Sequence, residues 1–363
     1  SFLVSTIVSR IVLRCRHLHL HLTGDHDLDG IQKFHAQPVP RIGGLGVLIG
    51  LWVAVLTELN LQIDSAHFAL SVLLVSMPAF LAGFMEDLTN KISVRHRLSA
   101  TALSAVLGGV FLGAWLTKIE IPGLDPLLSI GVVSVVFTAF AVAGVANAFN
   151  IIDGYNGLSS MVAIIILLGM ADVAGQVGDH TIRMTAFAVA AAIFGFWVWN
   201  YPLGLIFLGD GGAYLIGFLV AELSVLLVAR NANISPWFPV LLAFYPIFET
   251  LFTIFRRVFI HKTHPGLPDA EHLHQLIYGW VQGWTLGNTQ QASAAAKTRQ
   301  NSLTSPFLWL IASLTVIPAV LFYQNTQALR WLALMFALVY ILLYRGLVIH
   351  LRKRKINTRQ IVR

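Results

Sequence analysis

The sequence predicts an all-α, polytopic integral membrane protein with about eleven transmembrane helices. Of its 363 residues, 56% are hydrophobic and only 11% are charged, whereas about a quarter of the residues in a soluble domain carry charge. The apolar residues form long runs of roughly 20, which is the length of a membrane-crossing helix and about twice that of a barrel strand. These observations exclude a soluble domain and favour helices over a β-barrel.

The third observation is the distribution of positive charge. The predicted spans cover 1–22, 42–60, 67–85, 98–116, 128–149, 158–175, 183–200, 212–229, 237–255, 306–323 and 330–349. The segments that follow the odd-numbered spans all lie on one side of the membrane in this layout. That side carries 20 of the 24 Lys and Arg residues. The other side carries Lys118, Arg183, Arg230 and Arg330. By the positive-inside rule the basic side is cytoplasmic, and the C-terminus lies there.

We expect one transmembrane domain over residues 1–363, because the sequence shows no repeat and no soluble segment of domain size. Its core covers about 33–275, a flexible linker covers 276–305, and the last two spans and a basic tail cover 306–363. The chain starts inside an apolar stretch without Met, so we expect a missing N-terminal segment and no cleavable signal peptide. The only cysteine, Cys15, excludes an internal disulfide framework.

Three acids stand where apolar runs stop, namely Asp87, Asp153 and Asp210. Carboxylates at membrane depth are costly and are retained for a reason. Taken singly, Asp87 fits a solvent-facing helix end as well as a functional acid, and Asp210 fits a helix N-cap equally well. The predicted layout, however, puts all the polar clusters on the basic side, at 33–41, 86–97, 147–156, 201–211 and 256–274. We therefore predict one active site on these loops, with a hard-cation site among the acids.

Asn147, Asn150, Asp153 and Asn156 recur at every third position. On a helix the first three of these residues share one broad face. Carboxamides beside a carboxylate suit a metal, a phosphate or a sugar amide, while the alternative is polar packing between membrane helices. The position of the cluster at the end of a span favours function.

Two further loops carry groups that suit phosphate. Lys33 and Arg41 can bind phosphate, although taken alone they fit a positive-inside anchor better. His272 and His274 follow the Arg256-Arg257 pair and suit a pyrophosphate or a nucleotide, while the alternative is a solvated loop. Zinc is disfavoured because neither a metal-binding cysteine nor an HExxH motif accompanies these histidines.

Together these motifs resemble the polyprenyl-phosphate N-acetylhexosamine-1-phosphate transferase family. The family pattern has a DDxxD-like motif, an NxxNxxDGxDGL-like motif, a GDxGS/A-like turn and a late histidine motif. This chain carries them in the same order, at 86–90, 147–158, 209–213 and 272–274. It departs from the pattern at three positions, where Glu86 replaces the first Asp, Asn90 the last acid and Asn156 the second Asp of DGxDG. The stretch 268–274 looks most like the branch that initiates O-antigen or capsule-type glycans.

The resemblance implies an enzyme of the bacterial inner membrane that transfers N-acetylhexosamine-1-phosphate from a UDP-sugar to undecaprenyl phosphate and releases UMP. It implies Mg²⁺ as the cofactor, with Mn²⁺ as the alternative ion. The implied metal ligands are Asp210 and Asp153. The implied catalytic residues are Asp87, Glu86 and Asp153. The implied substrate-binding residues are Lys33, Arg41, Asn147, Asn150, His272 and His274.

Two other functions stay open at this stage. A transporter of lipid-linked or nucleotide sugars would place ionisable groups near the bilayer midplane and would show repeated halves, but here the acids lie at span ends. A non-catalytic homologue would account for the three departures from the motifs. The net charge of +7 is explained by loop bias, so we expect no nucleic-acid partner. The choice of sugar and the oligomeric state, including a homodimer, are not decided.

Overall fold

The computed structural model describes residues 1–25, 38–263, 269, 271–286 and 293–361, without the side chains of Asp25 and 355–361. The described residues are helical except for loops and one two-residue ladder, in which Gly24–Asp25 (β1) pairs antiparallel with Val39–Pro40 (β2). The predicted all-α membrane fold is therefore confirmed.

The helices follow the apolar runs of the sequence. Their bounds are α1 Phe2–Arg14, α2 Arg16–Thr23, α3 Gly43–Asn60, α4 Ala66–Val75, α5 Met77–Thr89, α6 Val94–Leu112, α7 Asp125–Leu128, α8 Gly131–Ile152, α9 Leu158–Gln176, α10 His180–Asn200, α11 Gly209–Arg230, α12 Trp237–Leu242, α13 Phe244–Phe255, α14 Leu273–Leu286, α15 Ala294–Leu321 and α16 Thr326–Ile361. A short π-helix, Arg256–Ile260, continues α13.

Each of the eleven predicted spans coincides with one helix or with two consecutive helices. Within the described residues, seven helices are long and apolar enough to cross a membrane, and α4 with α5 adds an eighth if this pair, bent by 46°, is one broken span. The count of eleven is thus not confirmed. Arg95, His96 and Arg97 lower the hydropathy of α6, and the first and ninth predicted spans are interrupted at Cys15 and Ala243.

Helix α11 lies at the centre of the bundle and contacts α3, α5, α6, α8 and α9. Of its membrane-length window, 83% is buried, the largest share among the candidate spans. Its first turn packs directly on α5, because a Cβ atom at Gly83 would lie 2.6 Å from the Asp210 carbonyl oxygen. This close approach brings the C-terminal end of α5 to the N-terminal end of α11.

The predicted linker at 276–305 is wrong for most of its length. Helix α14 extends to Leu286, and α15 begins at Ala294, where the Ser293 hydroxyl accepts a hydrogen bond from the Ala296 N–H group at 3.2 Å. A flexible linker would expose its polar residues, but those from Gln300 to Ser302 are buried against the rest of the protein. Residues 287–292 lie outside the described part.

Candidate active site

A cavity of about 300 Å³ lies where α5 and α8 end and α11 begins. All three predicted acids line it, so their convergence on one side of the bundle, expected from the order of the spans, is observed. The polar side chains at its wall belong to Arg41, Asp87, Arg97, Asn150, Asp153, Tyr155, Asn156, Asn200, Asp210, His274, Gln275 and Asn301.

Asp87 connects two helices at the cavity wall. Its side chain is almost fully buried, and its Oδ1 and Oδ2 atoms accept the backbone N–H groups of Asp210 and Gly211, each at 2.8 Å. The first N–H groups of a helix lack partners within that helix and carry its positive dipole end. An acid at the C-terminal end of a helix meets the negative end of the helix dipole, and the N-terminus of α11 compensates part of that cost for Asp87.

Asp210 lies in the first turn of α11 between a cation and an amide. Its Oδ2 atom forms an ion pair with Arg97 Nη1, and its Oδ1 atom accepts a hydrogen bond from Asn150 Nδ2 at 2.7 Å. The Arg97 guanidinium also lies over the Tyr214 ring, 5.5 Å from its centroid. Each carboxylate oxygen of Asp210 therefore has a donor at the cavity wall.

Asp153 follows α8 as its C-terminal cap residue, and it has the fewest partners of the three acids. Within the described residues no hydrogen bond or ion pair to its carboxylate is recorded. Part of the side chain faces the cavity, but the protein atoms packed around the carboxylate raise its pKa to about 7. A carboxylate in this situation is stabilised by an added cation.

The acids at the cavity supply only part of a metal site. In the part of the chain that the structure describes, no three His, Cys, Asp or Glu side chains are grouped closely enough to form a complete metal cage. Mg²⁺ needs less, because it is commonly held by one or two carboxylates together with substrate phosphates and water. The oxygen donors of Asp153 and Asp210, both at the cavity, therefore fit this ion.

Two residues predicted for the site are engaged elsewhere. The Glu86 Oε2 atom accepts the backbone N–H of Ile92 at 2.6 Å, so this carboxylate stabilises the turn after α5 and does not line the cavity. The Asn147 Oδ1 atom accepts a hydrogen bond from the Tyr214 hydroxyl at 2.9 Å. Asn147 thus makes the polar contact between helices that was the alternative for this cluster, while Asn150 faces the cavity.

The two predicted histidines have different surroundings. His274 lines the cavity, whereas His272 lies behind it, with Nδ1 3.0 Å from Glu249 Oε1. Arg41 also lines the cavity, and its Nη2 atom donates to Asn90 Oδ1 at 2.7 Å. Lys33 lies outside the described residues.

Sequence reasoning missed several cavity residues, of which Arg97 and Asn301 are the most informative. Arg97, Thr101 and Ser104 are all buried and share one face of α6, a helical pattern that could have identified Arg97 as an inward-facing cation. Asn301 comes from the stretch interpreted as a linker, and its Oδ1 atom accepts the Asn156 backbone N–H at 2.8 Å. No local sequence signal indicates that contact.

Asn156, which stands at the place of the second motif acid, holds two segments together. Its Nδ2 atom donates to the Pro202 carbonyl oxygen at 3.0 Å, and its own carbonyl oxygen accepts from the Ser305 hydroxyl at 2.7 Å. The departure from the motif therefore coincides with a structural role for this side chain.

Comparison with known proteins gives a consistent result. Residues 69–228, which include all three acids, match the profile described as "Glycosyl transferase family 4". The chain is 27% identical over 281 residues to the "Probable undecaprenyl-phosphate N-acetylglucosaminyl 1-phosphate transferase" of Bacillus subtilis (76% of this chain and 73% of that protein). It is 28% identical over 253 residues to the "Undecaprenyl-phosphate alpha-N-acetylglucosaminyl 1-phosphate transferase" of Thermotoga maritima (70% and 72%).

A third relative is the "Phospho-N-acetylmuramoyl-pentapeptide-transferase" of Staphylococcus carnosus, 28% identical over 257 residues (68% of this chain and 77% of that protein). The shared segment covers the helices that place Asp87, Asp153 and Asp210 at one cavity. The ordered motifs, their convergence at one cavity and these matches agree with one another, and they make the chain similar to glycosyl transferase family 4, whose profile matches residues 69–228.

Proposed function

We propose that the protein transfers N-acetylhexosamine-1-phosphate from a UDP-sugar to undecaprenyl phosphate, releases UMP and leaves a lipid-linked sugar diphosphate. The observation that carries this proposal is one cavity lined by three carboxylates and two arginines at the end of a bundle of membrane helices. The acceptor is a membrane lipid and the donor is water-soluble, so they can meet only at a membrane surface. We place this surface on the cytoplasmic side of a bacterial inner membrane, as the basic loops favour.

In the proposed reaction, an oxygen of the lipid phosphate attacks the phosphorus that carries the sugar. The new O–P bond forms as the bond from that phosphorus to the oxygen of the uridine-linked phosphate breaks, and UMP leaves with this oxygen. Both reactants are anions, so positioning and charge neutralisation are the main requirements. Mg²⁺, bound through Asp153 and Asp210, would supply Lewis-acid stabilisation of the negative charge that develops on the phosphate oxygens.

The chain contributes two cations to this task. Arg41 and Arg97 both line the cavity, and the Nε atom of each is buried with no hydrogen-bond partner in the part of the chain that the structure describes. A guanidinium group can bind two phosphate oxygens at once, so these side chains are suited to hold the diphosphate. Asn150 and His274 add polar groups that orient the nucleotide sugar.

Asp87 has a narrower role in this proposal than a general base. Its two oxygens hold the first turn of α11, and with it the carboxylate of Asp210. A phosphate monoester is largely ionised near neutral pH, so the acceptor can attack without losing a proton to the protein.

Metal affinity should depend on pH through Asp153. Because burial raises the pKa of this carboxyl to about 7, protons compete with the metal below that pH. We expect the Kd for Mn²⁺, measured by electron paramagnetic resonance without substrate, to rise about tenfold for each unit below pH 7 and to level off above it. Asp153→Asn should bind Mn²⁺ more weakly and without this pH dependence. Equal pH dependence in both proteins would contradict the role of Asp153.

The proposal is tested by incubating the purified protein with undecaprenyl phosphate, Mg²⁺ and a panel of UDP-N-acetylhexosamines while UMP is measured. We expect metal-dependent UMP formation with at least one sugar, and the preferred sugar identifies the donor. Transport of the lipid or the nucleotide sugar without UMP would instead establish the transporter alternative. Loss of O-antigen upon deletion of the gene would test the further proposal that the product initiates this glycan.

A further inference from the structure

Residues 271–275, called the histidine segment below, lie next to the cavity. A buried network that the transfer reaction does not itself require holds this segment in place. His274 lines the cavity, and its Nδ1 atom is buried and has no hydrogen-bond partner among the described residues. Its Nε2 atom points toward the turn after α8, since a Cβ atom at Gly154 would lie 3.7 Å away. The ring also packs edge-on against Tyr155, with 5.4 Å between centroids.

The imidazole of His274 is neutral in this environment. Burial, together with the neighbouring His272, lowers the pKa of His274 to about 3. A neutral imidazole that carries its proton on Nε2 can donate one hydrogen bond toward the cavity. This side chain is therefore suited to donate to a phosphate oxygen rather than to form an ion pair with it.

His272 determines where the His274 ring lies. The two rings stack with 5.0 Å between centroids and 18° between planes. His272 Nδ1 lies 3.0 Å from Glu249 Oε1 and 3.2 Å from Thr253 Oγ1, while His272 Nε2 lies 3.9 Å from Asp269 Oδ2. The carboxylate at Nδ1 favours the tautomer with a proton on that nitrogen and fixes the plane of the ring.

Glu249 is fully buried in α13, and donors surround its carboxylate. In addition to His272, its Oε1 atom accepts the Leu273 backbone N–H at 3.2 Å, and its Oε2 atom accepts the Tyr340 hydroxyl of α16 at 2.6 Å. A buried carboxylate is costly unless donors satisfy it. These three contacts satisfy it and tie α13, α14 and α16 together directly behind the cavity.

A second set of contacts holds the start of the same segment. Arg256 forms ion pairs with Asp269 and Glu271, and its guanidinium lies 5.6 Å from the centroid of the Tyr344 ring. The Gln275 side chain accepts the His272 backbone N–H at 3.0 Å. The histidine segment is thus fixed at both ends. The position of the Glu249 carboxylate therefore determines the position of the His272 ring and, through ring stacking, that of the His274 ring.

We infer that Glu249 is a positioning residue for the nucleotide-sugar site: with Tyr340 it orients His272, and through the stacked rings it holds His274 where it donates to a phosphate of the donor substrate. This inference rests on the proposed function for the identity of the ligand. It assigns the C-terminal helix α16, which lies outside the matched family segment, a part in substrate binding.

A double-mutant cycle tests this inference by measuring the Kd of UDP-GlcNAc with Mg²⁺ by calorimetry. His274→Ala should weaken binding by roughly 10-fold, the value of one hydrogen bond to a charged group. Glu249→Gln should weaken it by a similar factor. The double variant should bind no worse than His274→Ala alone, because Glu249 acts through His274. Glu222→Gln is the control, since Glu222 is equally buried and accepts no hydrogen bond from any residue that the structure describes, and the Kd of this variant should match the wild type.

The inference would be overturned if the Kd of the double variant rose by the product of the two single-variant factors. It would also be overturned if Glu249→Gln left the Kd unchanged. If Glu249→Gln does not fold, Tyr340→Phe replaces it in the same cycle, because it removes only the hydroxyl that Glu249 accepts. UMP release by the wild type is measured separately. An additive cycle in a protein that releases UMP rejects the role of Glu249, and absence of UMP with intact binding rejects the proposed reaction.

Discussion

Asp210→Asn should lower kcat for UMP release by about 10³-fold while the protein stays folded. The substitution keeps the size of the side chain but removes the charge that pairs with Arg97 and that is available to a metal. The first turn of α11 is retained, because its N–H groups bind Asp87 rather than Asp210. Turnover is measured with purified protein, undecaprenyl phosphate and Mg²⁺, and folding by thermal unfolding in the same detergent.

The matched controls for Asp210 are two other acids. Asp172→Asn changes an exposed acid late in α9 and should leave turnover unchanged. Glu86→Gln should reduce kcat far less than Asp210→Asn, because the Glu86 carboxylate binds the Ile92 N–H group and does not line the cavity. A loss in Glu86→Gln as large as in Asp210→Asn would contradict the separation between these two acids.

Gly209→Ala should abolish most activity and also destabilise the protein. Gly209 has a φ of +75°, a conformation that costs an L-residue about 1–2 kcal/mol. A Cβ atom there would also overlap the Arg41 carbonyl oxygen and lie 2.6 Å from Asp87 Oδ2. The added methyl group therefore moves the cavity wall at Arg41 and the carboxylate that caps α11. We expect a loss in kcat of at least 10²-fold, the cost of misplacing reacting groups by about an ångström.

Gly144→Ala provides the comparison within the same fold. A Cβ atom at Gly144 meets no atom within 4 Å, and Gly144 lies in the regular helix α8. This variant should keep wild-type turnover and unfold at the same temperature or slightly higher, because alanine favours helices. Near-normal turnover in Gly209→Ala would show that the approach of the 207–211 turn to Asp87 is not required.

The sequence permitted the prediction of those features that depend on local pattern and sidedness. Apolar length identified the helices, and the alternation of basic loops placed the span ends that carry Asp87, Asp153 and Asp210 on one side. Their meeting at one cavity needs no more than this sidedness and a compact bundle. Their roles as metal ligands or catalytic groups stay predictions.

Features that arise from contacts between distant segments could not be predicted. The pairing of Asp87 with the N-terminus of α11 joins residues more than 120 positions apart, and the network of Glu249, His272 and Tyr340 joins α13 and α16 to the residue before α14. The predicted linker fails around Asn301 for a related reason. Polar side chains signal solvent exposure in most loops, but those of Gln300, Asn301 and Ser302 are buried.

The central claim is that this cavity moves a sugar together with its phosphate. It is tested most directly with UDP-GlcNAc, or the preferred sugar of the panel, carrying ³²P in the sugar-linked phosphate and ³H in the sugar. The account predicts that both labels enter the lipid in equal amounts and that one unlabelled UMP is released for each product. Transfer of ³H without ³²P, with labelled UDP as the other product, would contradict it.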